Sequence, residues 1–146
     1  MATVTRLSRE HIGEICQIES ESFPDPWNQR SFLELLDNPL ALAFVALESG
    51  EVAGYLIAYH IPPEIEILNI AVKKSCRRRY IATELFSALL DCANAENAER
   101  LTLEVRPSNG GAIAFYGKLG FSLDGFRKNY YTHPAEDAAL MSLRLR

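Results

Sequence analysis

The chain has 146 residues, a length that fits one domain and leaves little room for a second. A composition of 48% hydrophobic and 23% charged residues is that of an ordinary globular protein. The net charge of -4 and the pI of about 5.4 argue against general nucleic-acid binding through a basic surface, while a basic peptide stays compatible as a ligand. We therefore predict a single domain, residues 1–146, with no nucleic-acid partner.

The three cysteines, Cys16, Cys76 and Cys92, are widely spaced and form no CxxC pair, so neither a zinc site nor a thioredoxin-like site is expected. Free thiols suit a reducing cytosol. The first residues lack the apolar stretch of a signal peptide, and no run approaches the roughly 18 apolar residues of a transmembrane helix. By elimination we expect a cytoplasmic protein with no metal and no membrane contact.

The first half of the chain predicts two helices followed by three strands. Ser8 is a candidate cap of the first helix, which the prolines within residues 23–27 interrupt. Asn28 is a candidate cap of a short second helix over residues 29–36. Strands follow over residues 41–48, 51–60 and 64–72, and Ser49-Gly50 forms a hairpin turn between the first two.

The second half predicts a helix over residues 81–95, with apolar residues on one stripe, and a strand over 101–105 with alternating apolar residues. Asn109 is a candidate cap of a helix over 111–119, which Gly120 closes, and two strands over 122–130 and 138–144 finish the chain. The predicted order is α-α-β-β-β-α-β-α-β-β. Strand, helix, strand in the middle implies a parallel crossover, and the hairpins on either side imply antiparallel pairs. The fold class is α/β, with a mixed, mostly antiparallel sheet flanked by helices.

A polar, basic loop over residues 73–79 lies between the third strand and the long helix. The first turn of a helix offers unpaired N–H groups and the positive end of the helix dipole, so such a loop is a natural anion site. Arg77, Arg78 and Arg79 precede the helix start and would suit a pyrophosphate. A solvated run of surface arginines is the alternative.

This loop carries a family resemblance. The sequence NIAV at residues 69–72, followed by RRRYIA at 77–82, resembles the acetyl-CoA loop of the GNAT superfamily (GCN5-related N-acetyltransferases), whose pattern is Gln/Arg-x-x-Gly-x-Gly/Ala. Arg77 and Ala82 match the ends of that pattern. Tyr80 stands where the family has its first glycine, which lets backbone amides approach the pyrophosphate.

The sequence LEVRPSNGGAIAFYGKLGF at residues 103–121 is a stronger signal. It resembles the ribosomal-protein-alanine N-acetyltransferase branch of GNAT enzymes (the RimI type) nearly residue for residue. RKNYY at 127–131, FPDPW at 23–27 and EDA at 136–138 resemble further segments of that branch. The resemblance thus runs from about residue 18 to the end of the chain, and it implies a GNAT-like fold.

Acetyl transfer to an amine requires a base, because a protonated amine has no lone pair with which to attack a thioester. Glu104 lies at a predicted strand end and is a candidate general base, acting directly or through one water. Tyr116, on the following helix, is a candidate acid for the departing thiolate. The resemblance assigns both residues the same roles, whereas without it a solvent-facing glutamate and a core tyrosine are the ordinary interpretations.

The resemblance also implies a binding site for each substrate. The residues that it places against acetyl-CoA are Ile70, Ala71, Val72, Arg77, Arg78, Arg79, Tyr80, Ile81, Ala82, Thr83 and Asn109. A backbone N–H near the end of the third strand would polarise the acetyl carbonyl. Trp27, Tyr130 and Tyr131 would line the entrance for the acceptor peptide, and the acidic residues Glu21, Asp25 and Glu136 would favour a basic peptide or the amine itself.

We therefore expect an enzyme that transfers acetyl from acetyl-CoA to the N-terminal α-amino group of a protein, with the N-terminal alanine of a small-subunit ribosomal protein as the implied partner. One alternative is a GNAT enzyme that acts on a small amine or an internal lysine. Another is a non-catalytic acyl-CoA-binding module, which Tyr80 motivates and which the intact Glu104 and Tyr116 oppose. The sequence assigns no oligomeric state.

Overall fold

The computed structural model of the chain describes residues 2–77 and 80–146, so Arg78 and Arg79, two of the residues expected to contact acetyl-CoA, lie outside the described residues. The strands are β1 (Thr3–Arg6), β2 (Ala41–Glu48), β3 (Glu51–Ile61), β4 (Glu64–Val72), β5 (Arg100–Val105), β6 (Ser122–Thr132) and β7 (Ala135–Arg144). The helices are α1 (Ile12–Ser22), α2 (Gln29–Leu36), α3 (Ile81–Ala95) and α4 (Gly110–Lys118), with short 3-10 turns at Arg9–His11 and Lys74–Cys76.

In the described residues the strands form one sheet of seven, in the order β1-β2-β3-β4-β5-β7-β6. The β4–β5 pair is parallel, and the other neighbouring pairs are antiparallel. Helix α3 makes the crossover that a parallel pair requires. The predicted fold class, a mixed and mostly antiparallel sheet with a central parallel crossover, is therefore confirmed.

The predicted order of elements was wrong at its start, because it omitted β1. This strand is short, its side chains are mostly exposed, and it pairs antiparallel with β2, for example Val4 with Ala46. Such an edge strand carries no burial pattern that a sequence can show. Ser8, expected to cap the first helix, instead precedes a 3-10 turn, where its backbone N–H donates to His11 Nδ1 at 3.0 Å.

The apolar core is divided between the two faces of the sheet. On one face, Leu85 and Leu89 of α3 lie fully buried together with Tyr116 of α4. On the other face, Ile15 of α1 and Phe32 of α2 are fully buried. Strand β3 serves both clusters because successive side chains point to opposite faces of a sheet.

Strands β4 and β5 separate part-way along their length. Their pairing runs from Glu64 opposite Arg100 to Ile67 opposite Leu103 and then stops, although β4 continues to Val72. On its other side β4 carries an irregularity, because Ile57 pairs with Asn69 and Ala58 with Ile67, so that residue 68 is extra. A bulge of this kind bends its strand and increases the local twist. The result is an opening between two parallel strands in the middle of the sheet.

Gly54 of β3 allows the far end of β4 and the start of α3 to approach closely. A Cβ built at this position would lie 2.8 Å from the carbonyl oxygen of Ala71 and 3.1 Å from Ile81 Cγ2. The first of these atoms is backbone and cannot rotate away. The opened half of β4 therefore depends on a residue without a side chain at position 54.

We predict that Gly54→Ala lowers the free energy of unfolding by about 1–3 kcal/mol, the usual cost of overpacking a core. Chemical denaturation measures the change. Gly13→Ala in α1 is the matched control, since no atom lies within 4 Å of the added methyl and alanine is the better helix former. A Gly54→Ala protein as stable as the parent would contradict the close approach.

Candidate active site

The separated strands open onto a cleft of about 1550 Å³. This exceeds the roughly 300–1,000 Å³ of an ordinary small-molecule site, so the cleft has room for a large cosubstrate and a second substrate. The cleft brings together the described residues that were predicted to be catalytic, to bind the cosubstrate or to form the aromatic entrance. These lining residues are Trp27, Ile70, Ala71, Val72, Arg77, Tyr80, Ile81, Ala82, Thr83, Glu104, Asn109, Tyr116, Tyr130 and Tyr131.

Glu104 is the first residue of β5 beyond the last pair with β4. Its Oε1 lies 3.4 Å from a guanidinium nitrogen of Arg127, and its Oε2 is buried with no hydrogen-bond partner in the part of the chain that the structure describes. A buried oxygen without a donor has a strong affinity for a proton or a donor brought in by a ligand. The geometry suits a general base.

Tyr116 of α4 is only 5% exposed, and its ring packs between Phe115 and Phe121 at centroid distances of 5.4 and 5.3 Å. Burial raises the pKa of this phenol well above its ordinary value, so the hydroxyl keeps its proton at neutral pH. Tyr116 nevertheless lines the cleft. A buried, protonated phenol at a cleft wall is suited to donating a proton.

Two helices begin at this cleft. Asn109 caps α4, as predicted, by accepting a hydrogen bond from the Ala112 N–H at 3.1 Å. Helix α3 begins after Tyr80, whose side chain makes no cap hydrogen bond, so among the described residues no side-chain cap competes with an anion for its first N–H groups. Arg77 folds back on the strand end, where its Nε donates to the Val72 carbonyl at 3.3 Å. This bond holds the loop before α3 against the opened half of β4.

The β6–β7 hairpin is tied to the loop between β5 and α4. Glu136 accepts hydrogen bonds from the Ser108 N–H at 2.7 Å and the Ser108 hydroxyl at 2.9 Å, and it pairs with Arg106 at 3.3 Å. Burial alone would raise the pKa of Glu136, but these donors hold the pKa below its ordinary value. The Arg106 guanidinium also stacks over the Tyr131 ring at 4.2 Å. Burial raises the pKa of Tyr131 to about 12.

The acidic residues expected to attract the acceptor occupy different places. Glu136 is engaged in the hairpin contacts just described, and Glu21 lies against a separate small hollow with Glu14 and Lys73. Of the three, Asp25 lines the cleft without a described hydrogen bond or ion pair. Glu21 is not among the residues that line the cleft, and its Oε1 accepts a hydrogen bond from Gln17 at 3.4 Å, so its influence on the acceptor stays a prediction.

Sequence reasoning missed Glu66 and Arg127. Glu66 of β4 lines the cleft, and its pKa is raised by burial and by the charge of Glu104, while Arg127 opposes that shift. Tyr130 is hydrogen-bonded to the Glu104 carboxylate, and this bond raises the pKa of the Tyr130 phenol. The alternation of β4 could have revealed Glu66, since its two neighbours Ile65 and Ile67 are both buried.

Within residues 2–77 and 80–146, no group of three His, Cys, Asp or Glu residues is arranged to hold a metal ion. In the same residues no helix combines the length and apolar character needed to cross a membrane.

Residues 12–121 match the sequence profile of the Acetyltransferase (GNAT) family. The chain belongs to the GNAT family. It is 39% identical over 141 residues to a Bacillus subtilis protein described as a candidate ribosomal protein bS18-alanine N-acetyltransferase, covering 96% of this chain and 93% of that one. It is 32% identical over 145 residues to the ribosomal protein bS18-alanine N-acetyltransferase of Escherichia coli, covering 98% of this chain and 97% of that one.

Two crystal structures agree with this assignment. The Escherichia coli ribosomal-protein-S18-alanine N-acetyltransferase superposes with a TM-score of 0.89 at 32% identity, over 99% of this chain and 94% of that one. Ard1 from Thermoplasma volcanium superposes with a TM-score of 0.94 at 27% identity, over 99% and 98% of the two chains. The GNAT resemblance is thus confirmed, and the protein is an acetyl-CoA-dependent N-acetyltransferase.

Tyr80 is the point at which this GNAT chain departs from the loop pattern. Its φ of 62° lies in the left-handed region, and its side chain is 77% exposed. Glycine adopts this conformation without penalty, whereas a residue with a Cβ meets the following carbonyl. The chain therefore keeps the glycine backbone conformation in a tyrosine and directs the ring outward at the rim of the cleft.

We predict that Tyr80→Gly raises the free energy of unfolding by about 1 kcal/mol, because it relieves the left-handed strain. Tyr80→Ala is the control, since it removes the ring but retains the Cβ, and it should give no such gain. Thermal and chemical denaturation measure both variants. Equal stabilisation by alanine and glycine would assign the effect to the ring instead of the backbone.

Proposed function

We propose that this chain transfers the acetyl group of acetyl-CoA to the α-amino group at a protein's N-terminus, and that the acceptor is the N-terminal alanine of the ribosomal protein bS18, in the cytoplasm. One observation carries the proposal: Glu104 and Tyr116 both line the cleft at which β4 and β5 separate. The names of two relatives that are similar over nearly the whole chain support this acceptor.

The cosubstrate would lie along the opened half of β4 and the start of α3. The pyrophosphate would bind the arginines of residues 77–79 and the free N–H groups at the α3 N-terminus, where the helix dipole favours negative charge. Asn109 would contact the cosubstrate from the α4 side. An N–H of residues 70–72 would donate to the acetyl oxygen, because β5 no longer pairs with this stretch of β4.

The chemical step would be a direct transfer between the two substrates. Glu104 takes a proton from the acceptor ammonium, directly or through one water, which frees the nitrogen lone pair. The nitrogen attacks the thioester carbonyl and a tetrahedral intermediate forms. The carbon–sulfur bond then breaks, and Tyr116 donates its proton to the departing thiolate. The amide nitrogen loses its second proton, which passes through water to the Tyr116 phenolate, and Glu104 releases the first proton to solvent.

The acceptor would enter between residues 23–28 and the β6–β7 hairpin. Trp27 lies on the first side, and Tyr130 and Tyr131 lie on the second with their rings 4.9 Å apart. Aromatic side chains provide apolar contact area and polar tips at little cost in conformational entropy. Asp25 and Glu66 give this part of the cleft negative charge, which complements an ammonium group.

The first test separates cosubstrate binding from acceptor choice. Calorimetric titration with acetyl-CoA should show saturable binding, while adenosine diphosphate alone should bind more weakly. Acetylation is then followed by mass spectrometry on three acceptors: a peptide with the first residues of bS18, the same peptide with a blocked N-terminus and an internal lysine, and a small amine. Modification of the first alone supports the proposal. Absence of acetyl-CoA binding at millimolar concentration would contradict the proposal.

The second test addresses the two proposed catalytic residues. We predict that Glu104→Gln and Tyr116→Phe each lower kcat by about 10²–10⁴-fold, the usual contribution of a positioned acid or base, with little change in acetyl-CoA affinity. Glu64→Gln is the control, because its salt bridge to Arg100, at 2.6 Å, lies at the other end of the same two strands. Full activity of either active-site variant would remove that residue from the mechanism.

A further inference from the structure

Glu19 of α1 is a buried carboxylate to which the proposed chemistry gives no task. It is 1% exposed, and three residues from different elements donate hydrogen bonds to it. Asn69 Nδ2 lies 2.9 and 3.1 Å from its two oxygens, the Trp27 N–H lies 3.0 Å from Oε2, and the Tyr55 hydroxyl donates to Oε1. Burial raises the pKa of Glu19, which these donors partly oppose.

The three donors come from places whose relative position matters to the site. Tyr55 belongs to β3, Asn69 to the half of β4 that β5 has left, and Trp27 to residues 23–28, which we call the acceptor loop. The loop contains two prolines, which have no backbone N–H, and the Trp27 N–H is one of those that remain in the loop. An ionised carboxylate only accepts hydrogen bonds, and at about four sites, so it is matched to a set of donors.

We propose that Glu19 is a positioning residue, which holds the acceptor loop at a fixed distance from the opened half of β4. This inference rests on the proposed function in naming the loop as the acceptor side and β4 as the acetyl side. The loop meets the acceptor and β4 meets the acetyl group, so the Glu19 carboxylate sets the separation between the two reacting groups. A displacement of about 1 Å at such a distance slows a bimolecular transfer substantially.

Replacing Glu19 by glutamine would remove some of these hydrogen bonds and keep others. The amide keeps one accepting oxygen, but its NH₂ group faces donors on the other side. The Trp27 ring packs on Phe32 at 5.3 Å, and Phe32 on Tyr55 at 6.1 Å, so the loop retains an apolar anchor and the protein retains its fold. What is lost is the connection between the loop backbone and β4.

The first readout needs no acceptor, because Trp27 is the single tryptophan of the chain. We expect Glu19→Gln to shift its fluorescence emission to longer wavelength and to increase quenching by acrylamide. Glu14→Gln is the matched control, since Glu14 lies on the same helix and accepts from the Val52 N–H at 3.0 Å, away from the cleft. An emission spectrum of Glu19→Gln identical to that of the parent overturns the proposal.

The second readout is kinetic and uses whichever amine the parent enzyme acetylates. We expect Glu19→Gln to raise the KM for the acceptor about tenfold, the worth of one hydrogen bond to a charged group, with the KM for acetyl-CoA unchanged. An equal rise in both KM values would mean a general structural role and would overturn the proposal. A parent enzyme inactive on N-terminal peptides would refute the proposed function alone, since the fluorescence result still decides the role of Glu19.

Exchanging the carboxylate and the amide between positions 19 and 69 gives the most specific control. When Glu19→Gln is combined with Asn69→Asp, the amide introduced in α1 can donate to the carboxylate introduced in β4, while the amide oxygen still accepts from the Trp27 N–H. We expect this double variant to lower the acceptor KM part of the way back to the parent value and to restore the parent emission spectrum. Asn69→Asp alone sets two carboxylates together, so we expect it to have a higher acceptor KM than Glu19→Gln or the double variant. Absence of recovery in a folded double variant counts against the hydrogen-bonded connection.

Discussion

The separation of two parallel strands is the constraint on which the rest of the molecule depends. β4 and β5 pair through Ile67 and Leu103 and then diverge, which leaves backbone groups without their sheet partners inside the protein. Such groups are costly unless a ligand or a side chain satisfies them. The opening in the sheet is also where the cleft lies, so the exposed edge of β4 is available to a ligand.

Polar contacts on both rims keep this opening in shape. On one rim, Glu19 joins α1, β3, β4 and the acceptor loop through buried hydrogen bonds. On the other, Glu136 and Arg106 join the β6–β7 hairpin to the start of α4. Between them lie the carboxylates of Glu66 and Glu104, with Arg127 as the neighbouring cation. Hydrogen bonds and ion pairs on both sides thus hold the walls of the cleft.

The sequence predicts the elements where periodicity and capping agree, and it predicts the site where the resemblance is dense. Helix α2 and strand β2 have the predicted bounds, because Asn28 and the Ser49-Gly50 turn are strong local signals. β1 was missed because its stability comes from pairing with β2 and not from its own pattern. Bulges and strand divergence depend on tertiary packing, so the opening between β4 and β5 could not be predicted from the local sequence.

The division of the core has a consequence for how such proteins diversify. Helices α1 and α2, which flank residues 23–28, pack on one face of the sheet, while α3 and α4, which begin at the cleft, pack on the other. Substitutions at sites without shared contacts have nearly additive effects on stability. Substitutions in the core behind residues 23–28 can therefore accumulate while the core behind α3 and α4 stays intact, so the two faces of a single sheet are able to change separately.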